Sequence, residues 1–569
     1  MEKWVISAKR ADFQEIGRKF HIDPVTARLI RNRDVEGDAA IREYLHGDLR
    51  QLHDPALMKD MERAAELLDA RIRLGKPIRI IGDYDIDGVM STYILLQGLR
   101  DLGARVDARI PERIRDGYGL NVHLIQEAVR DGVDTLVTCD NGISAAEQIA
   151  LAKEEGMLVV VTDHHEVPFL EEGEERRELL PPADAVVDPK RQECGYPFKG
   201  LCGAAVAWKL VSMLERLAGE PPEKSYRFLE FVAAATIGDV MDLVGENRIL
   251  VREGLKKLQH TENLGLQALI RANGLEGTIT PYHVGFVIGP CLNAGGRLDT
   301  AQRALELLLS RTQEEAAVLA GDLKALNESR KEMTAQGLEA AVELVETTSL
   351  KEDKVLVVYL PDCHESLAGI IAGRLREKYG KPSFVLTRTE EGAKGSGRSI
   401  EAYSMYEELS KCRELFTKFG GHPMAAGLSL PEEQVPWMRR RLNENCTLTE
   451  EDLAEKVTID VPMPISYIRR ELVDEFSLLE PFGKGNSRPV FAQRELTVLG
   501  CRIFGKNRNV VKMTVRDNQG FSLGAVYFGD ASAFCQRAQE NPRMDLVYYP
   551  SVNTYQGRES LQLVITHFR

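Results

Sequence analysis

Short apolar runs, each ending in acidic or imidazole side chains, punctuate the first half of the chain. Ile78 to Ile81 reads as a buried parallel strand, and Asp83-Tyr84-Asp85-Ile86-Asp87-Gly88 follows it. Thr135 to Thr138 is a second such run, ending in Cys139-Asp140-Asn141-Gly142. Leu158 to Thr162 is a third, ending in Asp163-His164-His165. Met58 to Leu74 has the spacing of an amphipathic helix feeding the first strand. From Ile78 onward strands and helices alternate, the signature of a parallel sheet. Phe231 to Val240 predicts a buried helix that ends in Asp239. Before all of these, Asp23 to Ile30 has an N-cap and then helical spacing.

The second half changes rhythm. Thr312 to about Val345 predicts one long helix, with Thr312 and Glu315 as a capping box and apolar Leu319, Leu323 and Leu326. At 1.5 Å per residue it would reach on the order of 50 Å, enough to separate two globular units. A second α/β unit runs from about Val355 to Leu430, opening with the strand Val355 to Leu360. From about Glu455 the strands are short and evenly spaced, as in a small barrel, with a basic hairpin at Gly505 to Lys512. Glu166 to Glu178 reads as an acidic surface insertion.

The strand ends carry the chemistry. Alternate residues of an extended chain point the same way, so Asp83, Asp85 and Asp87 would crowd together. Crowded carboxylates repel and raise each other's pKa, and hard divalent cations relieve the repulsion. In open α/β sheets ligands bind beyond the carboxyl ends of the strands, where the three runs converge. Mixed Asp and His donors suit Mn²⁺, Mg²⁺ or Zn²⁺. The carboxylate of Asp239, after an apolar helix, needs a partner, and we place it as the last metal ligand. Three further segments can meet a phosphate or a base. Arg113 and Tyr118 flank a Gly-Tyr-Gly turn. Arg297 sits in glycine-rich Ile288 to Leu298, whose backbone amides would cradle a phosphate. Ser396 and Arg398 alternate in one glycine-rich run, and His422 lies in another, Gly420 to Gly427.

Composition bounds these readings. The 569 residues suggest about three or four domains, and 43% hydrophobic with 28% charged residues is ordinary for a globular protein. No apolar run approaches the roughly 20 residues of a membrane span. The N-terminus lacks a charged-then-apolar leader, so a cytoplasmic protein is expected. The 9 cysteines contain no Cys-x-x-Cys pair, which argues against a disulfide framework and a zinc ribbon. A net charge of −14 speaks against nucleic acid only as a sum, since local clusters decide binding and cations at the acidic site would offset part of it.

Asp83-Tyr84-Asp85-Ile86-Asp87-Gly88, Cys139-Asp140-Asn141-Gly142, Asp163-His164-His165 and Gly238-Asp239-Val240 resemble, in order, the four motifs of the DHH phosphoesterase superfamily. Gly420 to Gly427 looks like the signature of its associated DHHA1 domain. With the Asn-Ala-Gly-Gly-Arg and Pro-Phe-Gly-Lys-Gly-Asn segments and the barrel tail, the chain is similar to the bacterial RecJ family of single-strand-specific 5′→3′ DNA exonucleases. That resemblance implies a helical lead-in at 1–50, a DHH domain at 51–311, a connecting helix at 312–347, a DHHA1 domain at 348–454 and an OB-fold β-barrel at 455–569. The two α/β domains would flank a central cleft.

The resemblance also implies roles. Two divalent metal ions, Mn²⁺ or Mg²⁺, would be held by Asp85, Asp87, Asp140, His164 and Asp239, with Asp83 close by or ligating and Asp140 bridging. His165 would be a non-ligand histidine that steadies the scissile phosphate or the leaving oxygen. Arg113, Ser396 and Arg398 would take the terminal 5′-phosphate, and Tyr118, Asn293, Arg297 and His422 would line the strand's path. Single-stranded DNA is the expected partner of a monomer, with a single-strand-binding protein and a helicase beside it. Three positions depart from the family pattern: Cys291 replaces an arginine, Ser487 a proline and Gly397 an alanine. The alternatives are a DHH phosphodiesterase acting on short oligonucleotides or cyclic dinucleotides, and a non-catalytic replication scaffold.

Overall fold

A computed structural model describes residues 2–112, 119–172, 175–505, 507–555 and 557–569. Its central element is a five-stranded parallel sheet in the order Val106–Arg109, Ile78–Ile81, Thr135–Cys139, Leu158–Thr162 and Ala185–Val187. Ile81 pairs with Thr138, Thr138 with Val161, and Thr162 with Val187, so the strands end nearly in line. That register brings the acidic and imidazole segments together. Arg79, within the first run, is buried and held by Asp107 and Asp131, with Nη2 2.7 and 2.8 Å from their carboxylates. A buried guanidinium needs such partners.

Helices cover both faces of the sheet. Ile86–Asp101, Gly203–Leu217 and Leu229–Gly238 bury almost every side chain in one large core. Glycines set their spacing: a Cβ on Gly98 would lie 2.6 Å from the methyls of Val211. The acidic insertion forms a two-stranded hairpin, Phe169–Glu172 with Glu175–Glu178.

Gln313–Thr347 is a single helix of 35 residues. Its capping box is only half formed. Thr312 accepts from the Glu315 amide, but the Glu315 carboxylate takes the Arg311 amide instead of closing on Thr312. The second α/β unit has the strand order Lys418–His422, Ala425–Leu430, Gly392–Arg398, Ser383–Thr389 and Leu356–Tyr359.

The tail is a barrel. Phe491–Phe504 pairs with Val510–Arg516, and the ladder continues through Ser522–Phe528, Arg558–Phe568 and Arg543–Tyr555 back to Phe491–Phe504. The chain's beginning joins this unit. Lys3–Ile6 pairs in parallel with Lys456–Ile459, and Ile30, Ile41 and Leu45 share a core with Phe491 and Phe534. Arg248 bolts the barrel to the central sheet domain by donating to the carbonyls of Tyr44, Leu478 and Leu479. Among the described residues no helix is long and apolar enough to cross a membrane.

Candidate metal centre and phosphate cavity

Each acidic segment is aimed by its own backbone. Asp85 caps the helix Ile86–Asp101, its Oδ1 accepting from the amides of Asp87 and Gly88 at 2.9 and 3.1 Å. The turn is tight enough that a Cβ on Gly88 would meet the Asp83 backbone at 2.4 Å. Asp87 points away from its own helix toward the start of Gly203–Leu217. Its two oxygens accept from the amides of Gly203 and Ala204, both at 2.7 Å. A helix N-terminus favours a carboxylate through free amides and the macrodipole. Asp140 holds the left-handed backbone, φ 60°, and a Cβ on Gly203 would lie 2.7 Å from the Asp140 Cβ. Asn141 locks the same turn by donating to the carbonyls of Ile81 and Cys139. Asp239 caps the C-terminus of Leu229–Gly238, and Val240 after it is left-handed at φ 55°.

The donors gather into overlapping groups. Asp83, Asp85 and Asp140 offer one set of donor atoms, Asp87, His164 and Asp239 a second, and Asp140, His164 and His165 a third that joins them, the atoms of each set lying within 4.8 Å of one another. His164 Nε2 lies 3.0 Å from Asp140 Oδ1, 3.5 Å from Asp87 Oδ2 and 3.8 Å from Asp239 Oδ2. Burial and the neighbouring carboxylates push Asp140 far up, and the same causes raise Asp85 and lift Asp239 to about 8. Burial holds His164 down, in the neutral form that can ligate. Its Nδ1 has no hydrogen-bond partner among the described residues. A crowded, buried set of oxygens with one neutral imidazole fits Mn²⁺ or Mg²⁺.

His165 differs from its neighbour. Its side chain is 45% exposed, and Nδ1 lies 2.8 Å from Asp163 Oδ1. Burial acts to lower its pKa, but the hydrogen bond and charge of Asp163 outweigh this and lift it to about 9. Burial acts to raise Asp163, but His165 and the Ile143 amide overcome it and hold that carboxyl below its ordinary range. Asp163 was not among the sequence candidates, although it opens the Asp-His-His motif. Asp188, also missed, ends the fifth strand as the other acidic residues end theirs. It is fully buried, and burial together with Asp163 pushes it up to about 8. The apolar run Ala185-Val186-Val187 before it was the signal. Cys139 is buried beneath the cluster, its thiol pushed up to about 12, which leaves it inert.

Ser396 and Arg398 lie on one strand, Gly392–Arg398, and both line a cavity of about 340 Å³ with Arg297, Ser366 and Gly369. Gly369 lies in the first turn of the helix Ala368–Tyr379, and a Cβ there would sit 2.9 Å from Arg398 Nη2 and 3.2 Å from Ser396 Oγ. Glycine thus keeps the cavity open at a helix N-terminus, where anions bind. Arg297 reaches across the domains to donate to the Ser366 carbonyl at 2.9 Å. Gly397 leaves room for Phe384 and Met405, each 2.5 Å from where a Cβ would be.

One expectation is corrected. Gly289–Leu298 is a helix, so its amides are engaged internally and form no phosphate cradle. Its glycines serve close packing instead: a Cβ on Gly296 would strike the Tyr84 carbonyl at 2.5 Å. Cys291 is fully buried, with its thiol against Asn273 and Asn327, so its side chain faces the packed helices and not a strand path. Asn293 lies half-buried on that helix, and His422 is exposed on the edge strand Lys418–His422. Arg113 and Tyr118 lie outside the described residues.

Comparison with known proteins bears on this geometry. Sequence models match for the DHH family N-terminal domain over residues 77–236, the DHHA1 domain over 352–447 and the RecJ OB domain over 459–567. The single-stranded-DNA-specific exonuclease RecJ of Bacillus subtilis is 36% identical over 99% of this chain and 70% of its own length. That of Haemophilus influenzae is 34% identical over 97% of both. The crystal structure of Thermus thermophilus RecJ in complex with Mn²⁺ superposes with a TM-score of 0.82 at 28% identity, covering 100% of this chain and 79% of that one. A Mg²⁺ complex of the same protein gives 0.78. With three domain matches in order and full-length relatives above 30% identity, the chain belongs to the RecJ family.

Proposed function

We propose that the chain is a metal-dependent exonuclease that degrades single-stranded DNA from its 5′ end and releases 5′-mononucleotides. The observation that carries this reading is the pairing of two sites: a divalent-cation centre at the sheet's carboxyl edge and a basic cavity on the facing domain. Arg297 links them. A cavity for a terminal phosphate at one end of a cleft sets polarity, since only a strand end can fill it.

When bound, two divalent cations supply Lewis acidity for in-line hydrolysis of the phosphodiester. Asp83, Asp85, Asp87, Asp140, His164 and Asp239 would hold them, and Asp140, grouped with Asp83 and Asp85 and 3.0 Å from His164 of the other set, would be shared. His165, kept protonated and oriented by Asp163, donates to a phosphate oxygen or to the leaving oxygen. Ser396 and Arg398 bind the terminal 5′-phosphate, the guanidinium through charge-assisted hydrogen bonds. Arg113 and Tyr118 complete the path in the same proposal. The family resemblance extends it to a cytoplasmic monomer that works with a single-strand-binding protein and a helicase in recombination and repair.

Chelation should abolish cleavage of a single strand and added Mn²⁺ restore it, while Asp140→Ala stays inactive at any metal concentration. Cleavage by the chelated protein or by Asp140→Ala would overturn the reading.

A further inference from the structure

Two aromatic rings lie open on the helical segment that packs against Ile86 and Ile237. Tyr282 is 63% and Phe286 65% exposed, and their rings stack with centroids 5.0 Å apart at 25°. They belong to the turn Pro281–His283 and the π-helical segment Val284–Ile288, which run directly into Gly289–Leu298. π-helical turns are rare and concentrate at functional positions. Scattered exposed apolar residues need no explanation, but a contiguous stacked pair does.

The helix that carries them rests on the metal-binding segments. A Cβ on Gly285 would lie 3.6 Å from Ile237 Cγ2, two residues before Asp239. A Cβ on Gly289 would lie 3.5 Å from Ile86 Cδ1, between Asp85 and Asp87. Val284, Ile288, Cys291 and Leu292 are the buried side. Tyr282 and Phe286 lead into Gly289–Leu298, where Asn293 and Arg297 stand four residues apart on one helix face. The continuous helical segment begins with the stacked rings and ends at Arg297, in the wall of the phosphate cavity.

We propose that Tyr282 and Phe286 form a base-stacking platform that holds the single strand beside the metal centre. The proposal rests on the nuclease reading and adds a subsite to it. Aromatic planes accept any base face, so they suit an enzyme that must let every sequence pass. Two rings offer at most a few hundred Å² of surface, well short of the ~800 Å² per partner of a stable protein interface. A single strand, held elsewhere by its phosphates, needs no more than this.

The test uses full-length protein with Mn²⁺ and 3′-labelled strands carrying one abasic site, moved stepwise from the 5′ end. The unaltered protein should show a dip in kcat/KM when the abasic site occupies the platform. The Tyr282→Ala/Phe286→Ala variant should raise KM on an intact strand by roughly tenfold or more and lose the dip. Tyr282→Leu/Phe286→Leu, which keeps an apolar cover, should behave the same way, while Tyr282→Phe/Phe286→Tyr should retain the dip. An unchanged KM and an unchanged abasic profile in the alanine and leucine variants would overturn the platform alone. No cleavage of any strand by the unaltered protein would overturn the nuclease reading beneath it.

Discussion

Asp163 Oδ1 lies 2.8 Å from His165 Nδ1 and also accepts the amides of His164 and His165. One buried carboxylate therefore fixes both histidines of the motif, orienting one ring and the backbone of the other. Asp163→Asn keeps the shape but removes the charge that keeps His165 protonated. Turnover should fall roughly 10- to 100-fold, the usual effect of losing an orienting partner. Mn²⁺ binding, read by calorimetry, should change far less than turnover. Equal losses in both would make Asp163 a metal-site residue.

The carboxylates of the candidate metal centre should separate by their effect on stability. Asp87 is held by the Gly203 and Ala204 amides, so Asp87→Asn sets an amide group against a backbone donor. Metal-free protein should lose about 1–3 kcal/mol. Asp239 is raised to about 8 by burial and by Asp87 and Asp85, so its charge opposes folding when no cation is present. Asp239→Asn should therefore stabilise metal-free protein above pH 8 while abolishing activity. Thermal melts with and without chelator separate the two. A melting temperature lowered equally by both substitutions would contradict the assignment.

Arg398→Ala should erase the preference for a 5′-phosphorylated strand over a 5′-hydroxyl strand. Hydrogen bonds to a charged group contribute about 1.5–3 kcal/mol, so the ratio of kcat/KM for the two strands should shrink by about 10- to 100-fold. A preference that survives would move the phosphate site elsewhere.

Glu230 gives a pH-dependent stability unrelated to catalysis. Burial raises its pKa to about 7, and its carboxylate accepts from Thr261. A carboxyl whose folded pKa lies above its unfolded value binds more protons when folded, so stability falls as pH climbs from about 4.5 to 7. Glu230→Gln removes that penalty. The variant and parent should have similar urea midpoints at pH 5, and the variant should be more stable at pH 8, on the order of 2 kcal/mol. No pH dependence in the difference would refute the raised pKa.

The metal motifs were legible in the sequence because they are local. A strand end, a glycine and one or two ligands lie within a few residues, and the parallel register then aligns them. What was not legible depends on distant partners. Nothing near Lys3–Ile6 announces Lys456–Ile459 as its neighbour, about 450 positions away by sequence number. Gly369 and Ser366 look like ordinary turn residues until Arg297 and Arg398 are placed against them. Gly289 to Gly296 reads as a loop because glycine disfavours helix, yet contact with Tyr84 and Ile86 overrides that preference.

The nuclease activity is tested most plainly on a single strand labelled at its 3′ end, with and without a 5′-phosphate, incubated with Mn²⁺ beside a blunt duplex and a cyclic dinucleotide. Labelled products should shorten stepwise from the 5′ end, faster with the phosphate, while the duplex and the dinucleotide persist. Release of the label in the first cut, or an intact strand beside a hydrolysed cyclic dinucleotide, would contradict it.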